Sequence, residues 1–332
     1  MRKYITTIVV ATTFLISMST FADQSSIPWV PFHWASLTAH GETFRKAALL
    51  VPVHIRSYPG TYYMQFDTGS IASPFRWVPT KVRQELLGTY KTSKTLRQVM
   101  TDLKDDNFNL TLHIGNTAIH YSGIEIKSRP LADMSTKFPM IGTIGLNALS
   151  NKVVLISFQN KKIAFISSDK LRKSYFDDVS FIPITYRNGK LFIPVTVNNI
   201  HYNNLFYYDS GSSIFYLITK KDLWSRITER TIGNSNNSVI VVPAFGKQIT
   251  LVGARATGDL SVGPVTIPSP MIYTRKSGGL SGQDLAAADY PVKGVVGNAA
   301  FFNNYEIVID LPDHRFGVKR VSDTMRSLTK TD

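Results

Sequence analysis

Tyr62-Tyr63-Met64-Gln65-Phe66-Asp67-Thr68-Gly69-Ser70 places a carboxylate in a sharp turn at the end of an apolar strand. A second stretch, Asn204-Leu205-Phe206-Tyr207-Tyr208-Asp209-Ser210-Gly211-Ser212, repeats this pattern, with Ser210 supplying the hydroxyl that Thr68 supplies in the first. A single Asp-Thr-Gly turn is weak evidence, because these residues are common in solvated loops. Two such turns in one chain predict a single site to which each turn contributes one aspartate.

The sequence around the two turns is duplicated as well. Pro52 precedes Asp67 by fifteen residues, and Pro194 precedes Asp209 by the same number. Three further blocks, a strand-turn-strand unit, an apolar-Gly turn and a closing hairpin, recur in the same order at residues 112–119 and 260–267, 141–145 and 294–297, and 153–165 and 305–317. This order predicts an internal duplication with one aspartate in each half.

The residue types in the two turns suit acid and base chemistry. Two carboxylates held close together cannot both ionise at low cost, so Asp67 and Asp209 are expected to share a proton. One would take a proton from a bound water while the other donates a proton to a substrate carbonyl. Gly69 and Gly211 lack side chains, which lets the backbone approach the carboxylates and donate N–H bonds to them. Asp67 and Asp209 are therefore the candidate catalytic residues.

With these motifs in this order, the chain resembles the pepsin-like aspartic endopeptidases over nearly all of its length after the N-terminal segment. The run Arg76-Trp77-Val78-Pro79 is also similar to the Trp-Val-Pro of that family. The resemblance implies an all-β fold of two β-rich lobes related by pseudo-twofold symmetry, with the active site in the cleft between them. The N-terminal segment and the absence of cysteine indicate an exported, bacterial member of the family.

The resemblance also implies supporting roles for the residues beside the two aspartates. Thr68 and Ser210 would cross-brace the two turns through their hydroxyls. Ser70 and Ser212 would bond the outer carboxylate oxygens, which favours ionisation and an acidic working range.

Trp77 and Tyr90 are assigned to a flap or pocket beside the aspartates. Tyr90 is the only tyrosine between Tyr63 and Tyr121, in the part of the chain where the family carries its flap. Its context, Gly88-Thr89-Tyr90-Lys91, departs from the family's Tyr-Gly-Thr pattern.

The N-terminus is typical of an exported protein. Arg2 and Lys3 precede an apolar run, and Thr20-Phe21-Ala22 follows it, which predicts a secretory signal cleaved after Ala22. A membrane anchor is the alternative, but threonines interrupt a run that is already short for a bilayer. Because the chain has no cysteine, a bacterial periplasmic or secreted location is expected. We expect a signal peptide at 1–22, an N-terminal lobe at 23–172 and a C-terminal lobe at 173–332.

Composition and charge narrow the partners of the protein. The 332 residues are 43% hydrophobic and 18% charged, as in a globular protein of about two domains. The net charge of +14 could favour anionic partners, but the basic residues are dispersed and no nucleic-acid motif accompanies them. His113 and His120 lack a third ligand at metal spacing, and no phosphate-binding glycine loop appears. We expect a monomer that acts on peptide or protein, without metal, cofactor, nucleic acid or stable membrane insertion.

Two classes of function remain open from the sequence. The first is an exported aspartic endopeptidase that hydrolyses peptide bonds in extended, largely apolar segments. The second is a non-catalytic protein of the same fold that binds a peptide or a glycan in its cleft. The intact aspartates, glycines and serines of both turns favour catalysis, whereas the altered flap sequence favours binding.

Overall fold

The computed structural model describes residues 27–39, 41–55, 61–70, 108–124, 138, 140–149, 151–171, 173–187, 189–244, 247–277 and 292–321. Within these ranges the protein is built from β-sheets with a single α-helix, α1 (Lys221–Thr228). The predicted signal peptide, Trp77 and Tyr90 lie outside the described residues. No helix within the described ranges has both the length and the apolar character needed to cross a bilayer.

The described ranges contain 22 strands. They are β1 (Val30–Pro31), β2 (His33–Ala39), β3 (Glu42–Ile55), β4 (Tyr62–Phe66), β5 (Phe108–Ile114), β6 (Thr117–Ile124), β7 (Met140–Ile144), β8 (Lys152–Ser157), β9 (Lys162–Ser167), β10 (Val179–Pro183), β11 (Thr185–Arg187), β12 (Lys190–Val197), β13 (Ile200–Tyr208), β14 (Leu217–Thr219), β15 (Ser238–Ala244), β16 (Lys247–Arg255), β17 (Leu260–Val262), β18 (Val265–Ile267), β19 (Met271–Arg275), β20 (Gly294–Val296), β21 (Tyr305–Asp310) and β22 (Arg315–Arg320). Short 3₁₀ helices lie at Leu146–Leu149, Ser168–Lys170, Lys173–Phe176 and Asn298–Phe301.

Two of the three sheets repeat one topology. The N-terminal sheet has the order β6-β5-β3-β4-β7, and the C-terminal sheet contains the matching order β18-β17-β12-β13-β20. In each sheet the strand that ends at the aspartate turn pairs in parallel with a later strand, so that Phe66 lies opposite Ile144 and Tyr208 opposite Val296. The repeat confirms the predicted fold class, an all-β protein of two β-rich lobes related by pseudo-twofold symmetry.

The third sheet, the interlobe sheet, takes strands from both halves of the chain. Its order is β1-β9-β8-β21-β22-β10, and the antiparallel pair β8–β21 joins the halves at its centre. Strand β8 is apolar at successive positions because both of its faces are covered. Val154 and Ile156 belong to the main core, whereas Val153 and Leu155 pack on the opposite face. This sheet holds the two halves in a fixed relation below the aspartate turns.

Matching hairpins occupy the same place in both halves. Gly115 in the β5–β6 turn and Gly263 in the β17–β18 turn have φ values of 54° and 55°. Side chains rarely adopt this left-handed conformation, so glycine suits both turns. The strand-turn-strand blocks that recur in the sequence therefore form the same type of hairpin in both halves.

The β2–β3 hairpin extends the N-terminal sheet toward the C-terminal half. Its side chains Leu37 and Phe44 pack against a cluster of buried residues that includes Phe192, Tyr207 and Val295. Tyr207 directly precedes the second aspartate turn. The hairpin therefore covers apolar surface close to that turn.

Candidate active site

The two aspartates end equivalent strands and are held by equivalent backbone bonds. The N–H of Asp67 donates to the carbonyl of Ile144 at 3.0 Å, and the N–H of Asp209 donates to the carbonyl of Val296 at 2.9 Å. Each acceptor is the last residue of the parallel neighbour strand. The parallel pairing therefore places the two aspartates at equivalent positions, each directly after the end of its strand.

The apolar-Gly turns pass directly beneath the aspartate turns. A Cβ atom on Gly145 would collide with the carbonyl oxygen of Ser70, and one on Gly297 would collide with that of Ser212. Only glycine allows the two backbone segments to come this close. The recurring apolar-Gly pattern in the sequence thus marks where one turn supports the other.

The structure places the carboxyl group of each half next to the glycine of the other half. A Cβ atom on Gly69 would lie 2.5 Å from Asp209 Cγ, and one on Gly211 would lie 2.6 Å from Asp67 Oδ1. Each glycine thus makes room for the carboxyl group of the other half. The two turns form one site, as their repetition in the sequence predicts.

Backbone groups within each turn bind the carboxylates. The N–H of Gly69 donates to Asp67 Oδ1 at 3.0 Å, and the N–H of Gly211 donates to Asp209 Oδ1 at 2.8 Å. Both aspartates are half-buried, so they keep contact with the space above the turns. The backbone bonds fix the orientation of each carboxyl plane while leaving reactive oxygens accessible.

The two serines after the glycines have different partners. Ser212 Oγ donates to Asp209 Oδ2 at 2.8 Å, as expected for the outer carboxylate oxygen. Ser70 Oγ lies 3.3 Å from Thr143 Oγ1 on β7, a contact that the sequence did not predict. Asp209 therefore accepts hydrogen bonds at both of its oxygens, which fixes the plane of its carboxyl group.

A reciprocal brace joins the two turns below the carboxyl groups. Thr68 Oγ1 donates to the Tyr208 carbonyl at 2.8 Å and accepts from the Ser210 N–H at 2.9 Å. Ser210 Oγ donates to the Phe66 carbonyl at 2.9 Å and accepts from the Thr68 N–H at 3.0 Å. Both side chains are 0% exposed, so all four bonds are shielded from water.

The electrostatics of the pair leave one proton on it. Burial first, then the charge of Asp209 and a hydrogen bond between the two carboxyls, raise the pKa of Asp67 well above its ordinary value. The Gly69 N–H and the Lys190 ammonium lower this pKa, but their effect is smaller. Because two carboxyls this close cannot both ionise at low cost, the pair shares one proton and carries a single negative charge.

Lys190 is a buried residue of the site that was missed in the sequence. Its side chain is 1% exposed, and its Nζ donates to the Gly69 carbonyl at 3.2 Å and lies 4.2 Å from the Tyr207 ring centroid. The available signal was its place at the start of an apolar strand, two residues before Phe192 and hence on the same face. A lysine at such a position is normally assumed to reach solvent.

Asn298 supports the second turn and was also missed. The Tyr208 hydroxyl donates to Asn298 Oδ1 at 2.5 Å, and Asn298 Nδ2 donates to the Ser210 carbonyl at 3.1 Å and to Ser213 Oγ at 2.9 Å. Burial, with a smaller effect of Asp209, raises the pKa of Tyr208 well above its ordinary value, so this phenol remains a donor. Leu146 follows the corresponding glycine of the first half, so the two turns have different supports.

His113 and His120, the two histidines considered as metal ligands, lie on β5 and β6. His113 lies opposite His54 in the β3–β5 ladder, and His120 Nδ1 lies 3.0 Å from Thr111 Oγ1. In the part of the chain that the structure describes, no three His, Cys, Asp or Glu side chains form a group able to hold a metal ion.

Comparison with known proteins adds one structural likeness. No model of a known protein family matches the chain, and no curated protein matches its sequence. Among solved structures, the chain is similar to the basic 7S globulin from soybean, with a TM-score of 0.44 and 10% sequence identity over 91% of this chain and 97% of that chain. The bilobal arrangement of this protein is defined by its own repeated sheets and paired aspartate turns.

Proposed function

We propose that the protein is an aspartic endopeptidase that hydrolyses peptide bonds with a water molecule activated between Asp67 and Asp209. One observation supports this function above the others: two half-buried carboxyl groups, each from its own braced turn, lie close together, each against the glycine of the other turn. A purely structural pair of acids at this spacing would be unfavourable, because both groups lose hydration and repel each other when ionised. Such an arrangement is typical of a site that uses the shared proton.

In this proposal the two carboxyl groups have different starting roles. Asp209 is the base, because Gly211 and Ser212 donate to its oxygens, and Asp67 is the acid. Asp209 takes a proton from the water as the water oxygen bonds to the peptide carbonyl carbon, and Asp67 gives its proton to the carbonyl oxygen. Collapse of the resulting gem-diol breaks the C–N bond: one hydroxyl of the gem-diol returns its proton to Asp67 as the carbonyl re-forms, and the proton on Asp209 passes to the leaving amine.

The proposal includes the earlier expectations about substrate, export and domain limits. The substrate class is an extended, largely apolar segment of a peptide or protein, and the protein acts after export as a monomer. The boundary between lobes at residue 172 is supported by the connection between β9 and β10, which holds two short 3₁₀ helices.

The test is hydrolysis of a denatured protein mixture between about pH 3 and pH 7 by wild type, Asp67→Asn and Asp209→Asn. Each substitution keeps the shape of the side chain and removes a titrating group, so the rate should fall about a thousandfold or more. Asp222→Asn, on the exposed first turn of α1, is the matched control and should cleave like wild type.

Two outcomes would contradict the proposal. If Asp67→Asn or Asp209→Asn cleaves as fast as wild type, the pair is not the catalytic group. If all variants are folded by circular dichroism and wild type cleaves nothing, the proposal fails and the non-catalytic binding of a peptide or glycan becomes the better account.

A further inference from the structure

The Lys190 ammonium has few partners for a buried charge. It has three N–H donors, and its contacts are one hydrogen bond to the Gly69 carbonyl and the face of the Tyr207 ring. A buried ammonium is strongly unfavourable unless an opposite charge compensates it. The contacts with a carbonyl and a ring reduce this cost but do not neutralise the charge.

The aspartate pair supplies a negative charge near the Lys190 ammonium. Gly69 lies between the two carboxyl groups: its N–H binds Asp67, and its α-carbon abuts the Asp209 carboxyl. The ammonium that holds the Gly69 carbonyl also acts electrostatically on Asp67. One positive charge and a pair that carries one negative charge therefore form a neutral buried group.

We propose that Lys190 is the counter-charge of the aspartate pair and a positioning residue for it. Through its hydrogen bond it holds the Gly69 peptide, and through its charge it keeps the pair singly ionised at lower pH than the two carboxyls alone would allow. The consequence for hydrolysis rests on the proposed function, whereas the consequence for carboxyl titration does not.

Titratable and charged residues from several elements surround Lys190. Its charge acts on Asp67, the Asp209 carboxyl lies against the Gly69 residue that it binds, and the Tyr207 ring on β13 lies next to its ammonium. Its register partner on β11 is Arg187, an exposed cation that adds positive charge. Of these groups, only the two aspartates are carboxylic acids.

The sign of the effect follows from these charges. Removing the positive charge of Lys190 disfavours the ionised pair, so the first ionisation of the pair should move to higher pH. The acid side of the activity profile should move with it, and cleavage at about pH 3 should fall about tenfold relative to wild type. An arginine at this position keeps the charge and should leave the titration close to that of wild type.

The experiment follows the pair directly, by NMR titration of ¹³C-labelled aspartate carboxyls in the full-length protein without substrate. Lys190→Met removes the charge and the hydrogen bond, Lys190→Gln removes the charge and keeps a donor, and Lys190→Arg keeps both. Lys46→Met is the matched control, since Lys46 also lies on an aromatic ring, 4.4 Å from the Phe302 centroid, away from the aspartates. The pH profile of cleavage is measured on the same samples.

The expected result is an upward move of the carboxyl titration in Lys190→Met and Lys190→Gln, with Lys190→Arg and Lys46→Met close to wild type. Unchanged titration in Lys190→Gln would overturn the inference, even if Lys190→Met fails to fold. An upward move in a protein that cleaves nothing would support the counter-charge and reject only the proposed hydrolysis. A loss of cleavage with unchanged titration would reduce Lys190 to a packing role and overturn the inference.

Discussion

The reciprocal brace offers the sharpest test of how the two halves are held together. Thr68→Val keeps the shape of the side chain but removes its hydroxyl, which leaves the Ser210 N–H and the Tyr208 carbonyl without their partners. Thr68 is 0% exposed, so water does not replace the lost bonds. Each unsatisfied buried group costs about 1–3 kcal/mol, so the two together should lower the free energy of unfolding by about 2–6 kcal/mol. That is a large share of the about 5–15 kcal/mol that stabilises a typical protein.

The measurement is urea unfolding of wild type, Thr68→Val, Thr68→Ser and the control Thr38→Val. Thr68→Ser keeps the hydroxyl and should recover most of the stability. Thr38 is exposed, and its hydroxyl bonds that of Thr43 at 3.2 Å, so its loss should change the free energy by less than about 0.5 kcal/mol. If Thr68→Val unfolds at the same urea concentration as Thr38→Val, with equal denaturant dependence, the brace does not stabilise the fold and this reasoning is wrong.

Two further predictions concern the carboxyl pair itself. Because the folded protein raises the pKa of Asp67 above its ordinary value of 3.8, the stability that its protonated form contributes is complete below that value and is lost as pH rises through the folded pKa. Asp67→Asn should therefore match wild type in urea unfolding at about pH 3 and exceed it at about pH 7, and equal differences at both pH values would refute the raised pKa. Gly211→Ala should abolish hydrolysis, since its Cβ would lie 2.6 Å from Asp67 Oδ1. Gly233→Ala, with no atom within 4 Å of its Cβ, is the control, and equal cleavage by both variants would show that the carboxyls do not need this close approach.

Short-range patterns were enough to predict the fold class and the pairing of the aspartates. The Asp-Thr-Gly-Ser and Asp-Ser-Gly-Ser turns, the matched prolines and the apolar-Gly turns each depend on a few neighbouring residues. Glycine is needed where backbones cross or φ is positive, so its place in a repeat carries structural information. A duplicated pattern also implies a symmetric arrangement, which is why the sequence alone predicts Asp67 and Asp209 in one site.

Only the tertiary structure decided which other side chains reach that site. Lys190 and Asn298 are far from Asp67 in the chain, and the sheet topology brings them to the two turns. The unequal contacts of Ser70 and Ser212 likewise depend on Thr143, which belongs to a different strand. The burial of a charge and the pKa of a carboxyl depend on distances across the fold, and local sequence does not specify these distances. The sequence thus determined the two aspartate turns, and long-range packing determined their electrostatics.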